Sequence, residues 1–200
     1  MEVFRSALPA LVCAVCMLLC ACRIRYTDPP RTATEQLLIS QSAVEAIGRL
    51  DVSPLRGHGV FVDETYLKAV DSAFIAGEIR NRVLKAGGRI VDKKEDADTI
   101  LEIRAPAVGI DRKDMLLGIP SLLVPVPAVP EAGMSSLALP ELALVKNVKQ
   151  VGITSLALTA YERKTGAMVD SFGPETGKSM RSDWSLLGII TVSRRQNCPK

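Results

Sequence analysis

Gly118 to Pro130 reads GIPSLLVPVPAVP, an apolar run broken by four prolines. Proline has no amide hydrogen to donate and its ring clashes inside a helix, so this run suits neither a helix interior nor a central strand. It therefore divides the chain into a part before it and a part after it, and is itself expected to be the connection. Connections longer than about 12–15 residues are usually functional or disordered, and apolarity of this degree argues against plain disorder. The expectation is a long Pro-rich apolar loop inserted at about residues 115–148. Leu117, Ile119, Leu122, Leu123, Val124, Val126 and Val129 would form a candidate interaction surface, with Trp184 at its edge. Trp184 enters because DMLLGIP at 114–120 is echoed by DWSLLGII at 183–190. If the echo is structural, the two segments lie side by side.

Before the run, apolar residues recur at helical spacing. Leu37, Leu38, Val44, Ile47 and Leu50 follow Thr32 and Thr34, either of which suits a helix N-cap, and Pro54 with two nearby glycines stops the segment. In GVFVDETYL, Val60 to Val62 reads as a short strand, with Asp63 placed to cap a second helix over about Tyr66 to Ala86. Gly87-Gly88 ends that helix in a left-handed turn. RIV and then TILEIRAPAVGI resume as strands, and the charged run Asp111 to Asp114 reads as a turn. After the run, Val151–Tyr161 and Met168–Phe172 form a hairpin through ERKTG, with Gly166 in the left-handed position. The fold class expected is α+β: a mostly antiparallel sheet of four or five strands with two helices packed on one face.

The N-terminus carries a different signal. Arg5 precedes an apolar run from Ala7 to Leu19, the charge-then-hydrophobe plan of a secretory signal, and the run is too short for a spanning helix. It ends Leu19-Cys20-Ala21-Cys22, which resembles a bacterial lipobox. That resemblance implies a signal peptide over 1–21, palmitoylated Cys22 as the membrane anchor, and a polar tether over 22–31. A single domain over 32–193 and a tail over 194–200 complete the expected organisation. With Cys22 blocked, only Cys198 keeps a thiol, so CAVC is neither a redox nor a zinc motif. Arg23 stands where an Asp would resemble an inner-membrane retention signal, which points to the outer membrane, periplasmic side.

Composition narrows the function classes. Aromatics are 4% of residues and the net charge is +3 with the signs interspersed, so nucleic acid is not an expected partner. The single histidine, His58, lies between two glycines with no serine elbow or phosphate loop near it. Glu95, Asp96 and Asp98 do not follow the spacing of a calcium loop and read as a solvated turn. No catalytic residue, metal or cofactor is expected.

Across Thr32 to Leu67, at DRKDMLLGIPSLLVPVP and at AYERKTGAMVDS, the chain resembles a family of uncharacterised bacterial lipoproteins carrying a domain of unknown function. In layout alone it is similar to curli-secretion-type outer-membrane lipoproteins. Three expectations follow. The first is a non-enzymatic accessory, assembly or interaction protein of the envelope, held by acyl chains and meeting an envelope protein or its own copies. The second is an oligomeric secretion-channel subunit, which the prolines argue against, since they interrupt barrel strands. The third is an envelope hydrolase.

Overall fold

The computed structural model describes residues 31–69, 71–125 and 136–197. Helix α1, Ala33–Arg49, buries Leu38, Ile39, Ala43, Ala46 and Ile47, a set spaced by three and four residues. Leu37 and Val44, expected on that stripe, are exposed. Strand β1, Gly59–Asp63, is followed by a turn rather than a helix start. The Asp63 carboxylate accepts from the Thr65 amide at 3.0 Å and is used there, so helix α2 begins only at Ser72 and runs Ser72–Lys85. Gly87 at φ 91 closes α2 as expected, with the Gly88 amide donating to Val83 O at 3.0 Å.

Strand β2, Arg89–Ile90, precedes the long strand β3, Thr99–Ile119. Short strands β4, Leu122–Pro125, and β5, Ser136–Leu139, pair with each other. Then come β6, Leu142–Glu162, β7, Met168–Leu186, and β8, Ile190–Asn197. The main sheet has the order β2-β1-β3-β6-β7-β8. The sheet-rich fold with two helices agrees with expectation in outline. The sheet has six strands rather than four or five, and it is mixed, because β1 runs parallel to both β2 and β3. The β6–β7 turn matches its expectation, with Gly166 at φ 72.

Both helices contribute to one core. Ala43, Ile47, Ile75, Ile79 and Val83 meet Leu101, Ile103, Leu156, Leu158 and Phe172 of the sheet. Along β6 every second residue from Gln150 to Ala160 is buried, the period-two signature of a strand with one covered face. Helix α1 lies on a strip of small residues. A Cβ on Gly177 would sit 2.0 Å from Ser42 O, and one on Gly152 would sit 2.7 Å from Leu38 O. Ser42 and Thr154 hydroxyls bond at 2.7 Å inside this contact, and the Ser179 hydroxyl donates to Leu38 O at 2.6 Å.

The loop expected over 115–148 is corrected by this architecture. Residues 115–119 and 142–148 belong to β3 and β6, and 122–125 pair with 136–139. Pro120 and Pro140 fall in the break between these two ladders, and Pro125 closes β4, so the prolines punctuate a hairpin instead of preventing one. Asp111 to Asp114, expected as a turn, is continuous strand for the same reason: Val148–Val151 supplies its ladder partners.

Candidate functional site

β3, β6, β7 and β8 continue as a four-stranded ribbon beyond the point where the described helices cover the sheet. The last covered row is Arg112, Gln150, Arg181 and Arg195, where the Arg181 guanidinium donates to the Thr34 hydroxyl at 3.1 Å. Beyond it the two faces of the ribbon differ in chemistry, because paired residues share a face and successive residues alternate.

On the face shared with the helices, one row is Asp114, Val148, Asp183 and Ser193, and the next is Leu116, Lys146, Ser185 and Thr191. Two arginine–carboxylate pairs run along the strands here, Arg112–Asp114 and Arg181–Asp183, each with a closest approach of 3.0 Å. The Arg112 hydrogen bonds hold the Asp114 carboxyl below the ordinary carboxylate range, and Asp114 in turn raises Arg112. On the opposite face a row of Lys113, Lys149, Ser182 and Arg194 is followed by Met115, Asn147, Trp184 and Val192, then by Leu117, Val145, Leu186 and Ile190. A basic row thus borders two apolar rows that face away from the core.

The echo, an Asp followed shortly by Leu-Leu-Gly-Ile, finds its place here. Asp114 and Asp183 share a row, as do Leu117 and Leu186, with β6 between them. The two segments flank β6 at about 9–10 Å, two strand spacings, rather than pairing directly. The β7–β8 tip continues the apolar character: Leu187 at φ 51 and Gly188 at φ 68 make the turn, and the Ile189 amide donates to Leu186 O at 3.1 Å. Leucine at positive φ is disfavoured relative to Asn or Gly. The turn keeps an apolar side chain at its apex where the backbone favours a polar or absent one. Ile189 is 84% exposed and Leu187 60%.

Of the residues singled out in the sequence, Leu117, Ile119, Leu122, Leu123, Val124 and Trp184 are all exposed, and they lie on or next to this end of the sheet. Val126, Val129 and Cys22 lie outside the described residues. Met115, Leu186, Leu187, Ile189 and Ile190 fall within the two echoing segments but were not named individually, and Val192 lies beyond them. For Leu186, Ile190 and Val192 the signal was the period-two alternation on either side of the turn in RSDWSLLGIITVSRR, flanked by charge.

Elsewhere, His58 Nδ1 lies 3.0 Å from the Thr99 hydroxyl at the opening of β1, and Asp98 accepts from the Gly59 amide at 2.8 Å. Asp98 therefore clamps β1 to the turn before β3. Glu95 and Asp96 stand in a short 3-10 turn, Lys94–Asp96. Among the described residues no group of three His, Cys, Asp or Glu side chains is placed to hold a metal ion. No described helix is long and apolar enough to cross a membrane.

Residues 14–193 match a family described as a family of unknown function, DUF6655. No curated protein matches the chain.

Proposed function

Because the chain belongs to DUF6655, a family of unknown function, we propose on its own geometry that it is a non-enzymatic accessory lipoprotein of the cell envelope. Cys22 carries the acyl chains, and the apolar end of the sheet seats in the same bilayer. The observation that carries this reading is the segregation of the ribbon: Met115, Leu117, Trp184, Leu186, Ile190 and Val192 on one face, bordered by Lys113, Lys149 and Arg194.

Each part of that surface has a role at a membrane. Exposed apolar area gains about 25 cal/mol per Å² when it leaves water. Tryptophan favours the headgroup level, and basic residues near an anionic surface contribute about 1 kcal/mol each. The tether fits as well. Ala33 opens α1 next to the Arg181 row, and the eleven residue-to-residue steps from Cys22 to Ala33 reach at most about 36–40 Å when extended.

A second reading, a secretion-channel subunit, is supported by the alternation of polar and apolar faces on four strands. It is the weaker of the two on length. Beyond Asp114, β3 has only Met115–Ile119 before the break at Pro120, about 17 Å, short of a hydrocarbon core of about 30 Å. β7 has only Asp183–Leu186 beyond the basic row, about 13 Å, so a dipping contact suits it and a full span does not.

Trp184 is the only tryptophan in the chain, which makes its emission a site-specific probe. The purified full chain in vesicles of anionic and zwitterionic lipid is expected to show Trp184 quenching by bromine placed near the headgroups. Labelled palmitate is expected on the wild-type chain and absent from Cys22→Ser. Emission that brominated lipid leaves unchanged refutes the seating, and palmitate retained by Cys22→Ser refutes the anchor.

A further inference from the structure

We propose that copies of this chain join edge to edge, β8 of one copy pairing with β3 of the next to continue a single antiparallel sheet. The inference goes beyond the reading above and does not require it, since it rests on backbone edges rather than on bilayer contact.

Two observations carry it. Among the described residues, β3 has a strand partner on its outer side only from Thr99 to Glu102, where β1 pairs with it. From Ile103 to Ile119 that edge carries none, and neither does the outer edge of β8. Long unpaired edges are templates for a further strand, and proteins ordinarily cover, shorten or bulge them. Here one edge runs for 17 residues, through the bulge between Arg104 and Ala107, and between Ala105 to Asp111 and the segment Lys68–Ala69 lies a hollow of about 620 Å³. The second observation is parity. The ribbon has four strands, an even number, and each pairing within it is antiparallel. Its two outer edges therefore run in opposite directions, so β8 of one copy meets β3 of an equally oriented neighbour in antiparallel sense. An odd ribbon would present parallel edges.

Side chains select the register. Joining copies with their rows level would oppose Arg195 to Arg112 and Arg194 to Lys113, two like-charge pairs, which is unfavourable directly across a ladder. Advancing β3 by two residues keeps every side chain on its own face. It opposes Arg195 to Asp114, Val192 to Leu117 and Ile190 to Ile119. A shift of two the other way also separates the like charges but sets Val192 against Lys113. A stagger between copies is in any case what closing a sheet requires. The contact is head-to-tail, so repetition gives a ring or an open polymer rather than a two-fold dimer.

The test uses the full chain extracted in mild detergent, with Cys198→Ser as background. Val192→Cys together with Leu117→Cys is expected to give a ladder of disulfide-linked species on mild oxidation, because directly opposed residues lie within bridging distance. Each single variant is expected to stay at the background level. A dimer from Val192→Cys alone would show a two-fold contact and overturn the proposal. So would a double variant that remains monomeric or links only to a protein of different mass. If the double variant fails to fold, the mass of the unsubstituted protein in mild detergent decides: several copies per particle support the proposal and one copy overturns it. Cross-linking without Trp184 quenching would leave edge pairing standing and remove the bilayer seating, so the two readings fail separately.

Discussion

At the scale of single residues, the contact between α1 and the sheet depends on residues with no side chain. Gly177 and Gly152 sit where the backbone of α1 comes down on β6 and β7, and a methyl group on Gly177 would meet Ser42 O at 2.0 Å and Ala46 N at 2.6 Å. These are backbone atoms, so relief requires moving the helix rather than turning a rotamer. Overpacking of this kind costs about 1–3 kcal/mol. Gly177→Ala is expected to lower the urea midpoint of unfolding accordingly, and Gly177→Val to lower it further. Gly48→Ala, with nothing within 4 Å of the added carbon, is expected to be neutral or slightly stabilising, since alanine favours helix over glycine. Equal midpoints for all three variants would contradict the helix placement. None of this was legible in the sequence, because a glycine required for close approach reads the same as one in a loose turn.

At the scale of elements, the ribbon separates what local sequence specifies from what a neighbour specifies. The strand Val151–Tyr161 and the Gly166 turn were legible because each is written in a few adjacent residues. The prolines at 120, 125 and 140 were misleading for a physical reason. Proline forbids a ladder bond at its own position only, and here Pro120 and Pro140 share one break while the chain pairs on both sides of it. The echo at 114–120 and 183–190 was legible as sequence, but its meaning needed β6 to align it. The residues named for the interaction surface came from the first segment and Trp184, and so covered only part of the apolar end. That end is expected to work as one unit. Leu117→Asp with Leu186→Asp places two carboxylates in one exposed apolar row while leaving Trp184 as the probe. A carboxylate at hydrocarbon depth costs about 2.5–3.5 kcal/mol. The pair is expected to abolish Trp184 quenching in vesicles while leaving the urea midpoint near wild type, since neither side chain packs in the core. Quenching that survives both substitutions would mean the ribbon meets the bilayer, if at all, by another face.

At the scale of the whole molecule, one strand passes through two environments. β6 is bonded to β3 on one side and β7 on the other along nearly its full length, yet only its later half lies under the helices. Leu156 and Leu158 are fully buried there, while Leu144 at the other end is 55% exposed. Both halves are laddered on two sides and the later half carries more of the bulges, at Leu156–Leu158 and Ala160–Tyr161, so greater protection there reports the helix layer. Fully burying a leucine is worth about 1.5–3 kcal/mol, and each 1.4 kcal/mol is a tenfold change in an opening equilibrium. Amides of residues 154–160 are therefore expected to exchange with deuterium at least tenfold more slowly than those of 144–149 in the purified full chain. Reconstitution into vesicles is expected to narrow the gap by slowing 144–149 and leaving 154–160 unchanged, because the bilayer then supplies the cover that α1 and α2 supply further along. Uniform exchange along β6 before reconstitution would show that the ribbon is stabilised by something other than its helix-covered half. Protection gained at 154–160 instead of 144–149 would place the membrane at the opposite end of the sheet.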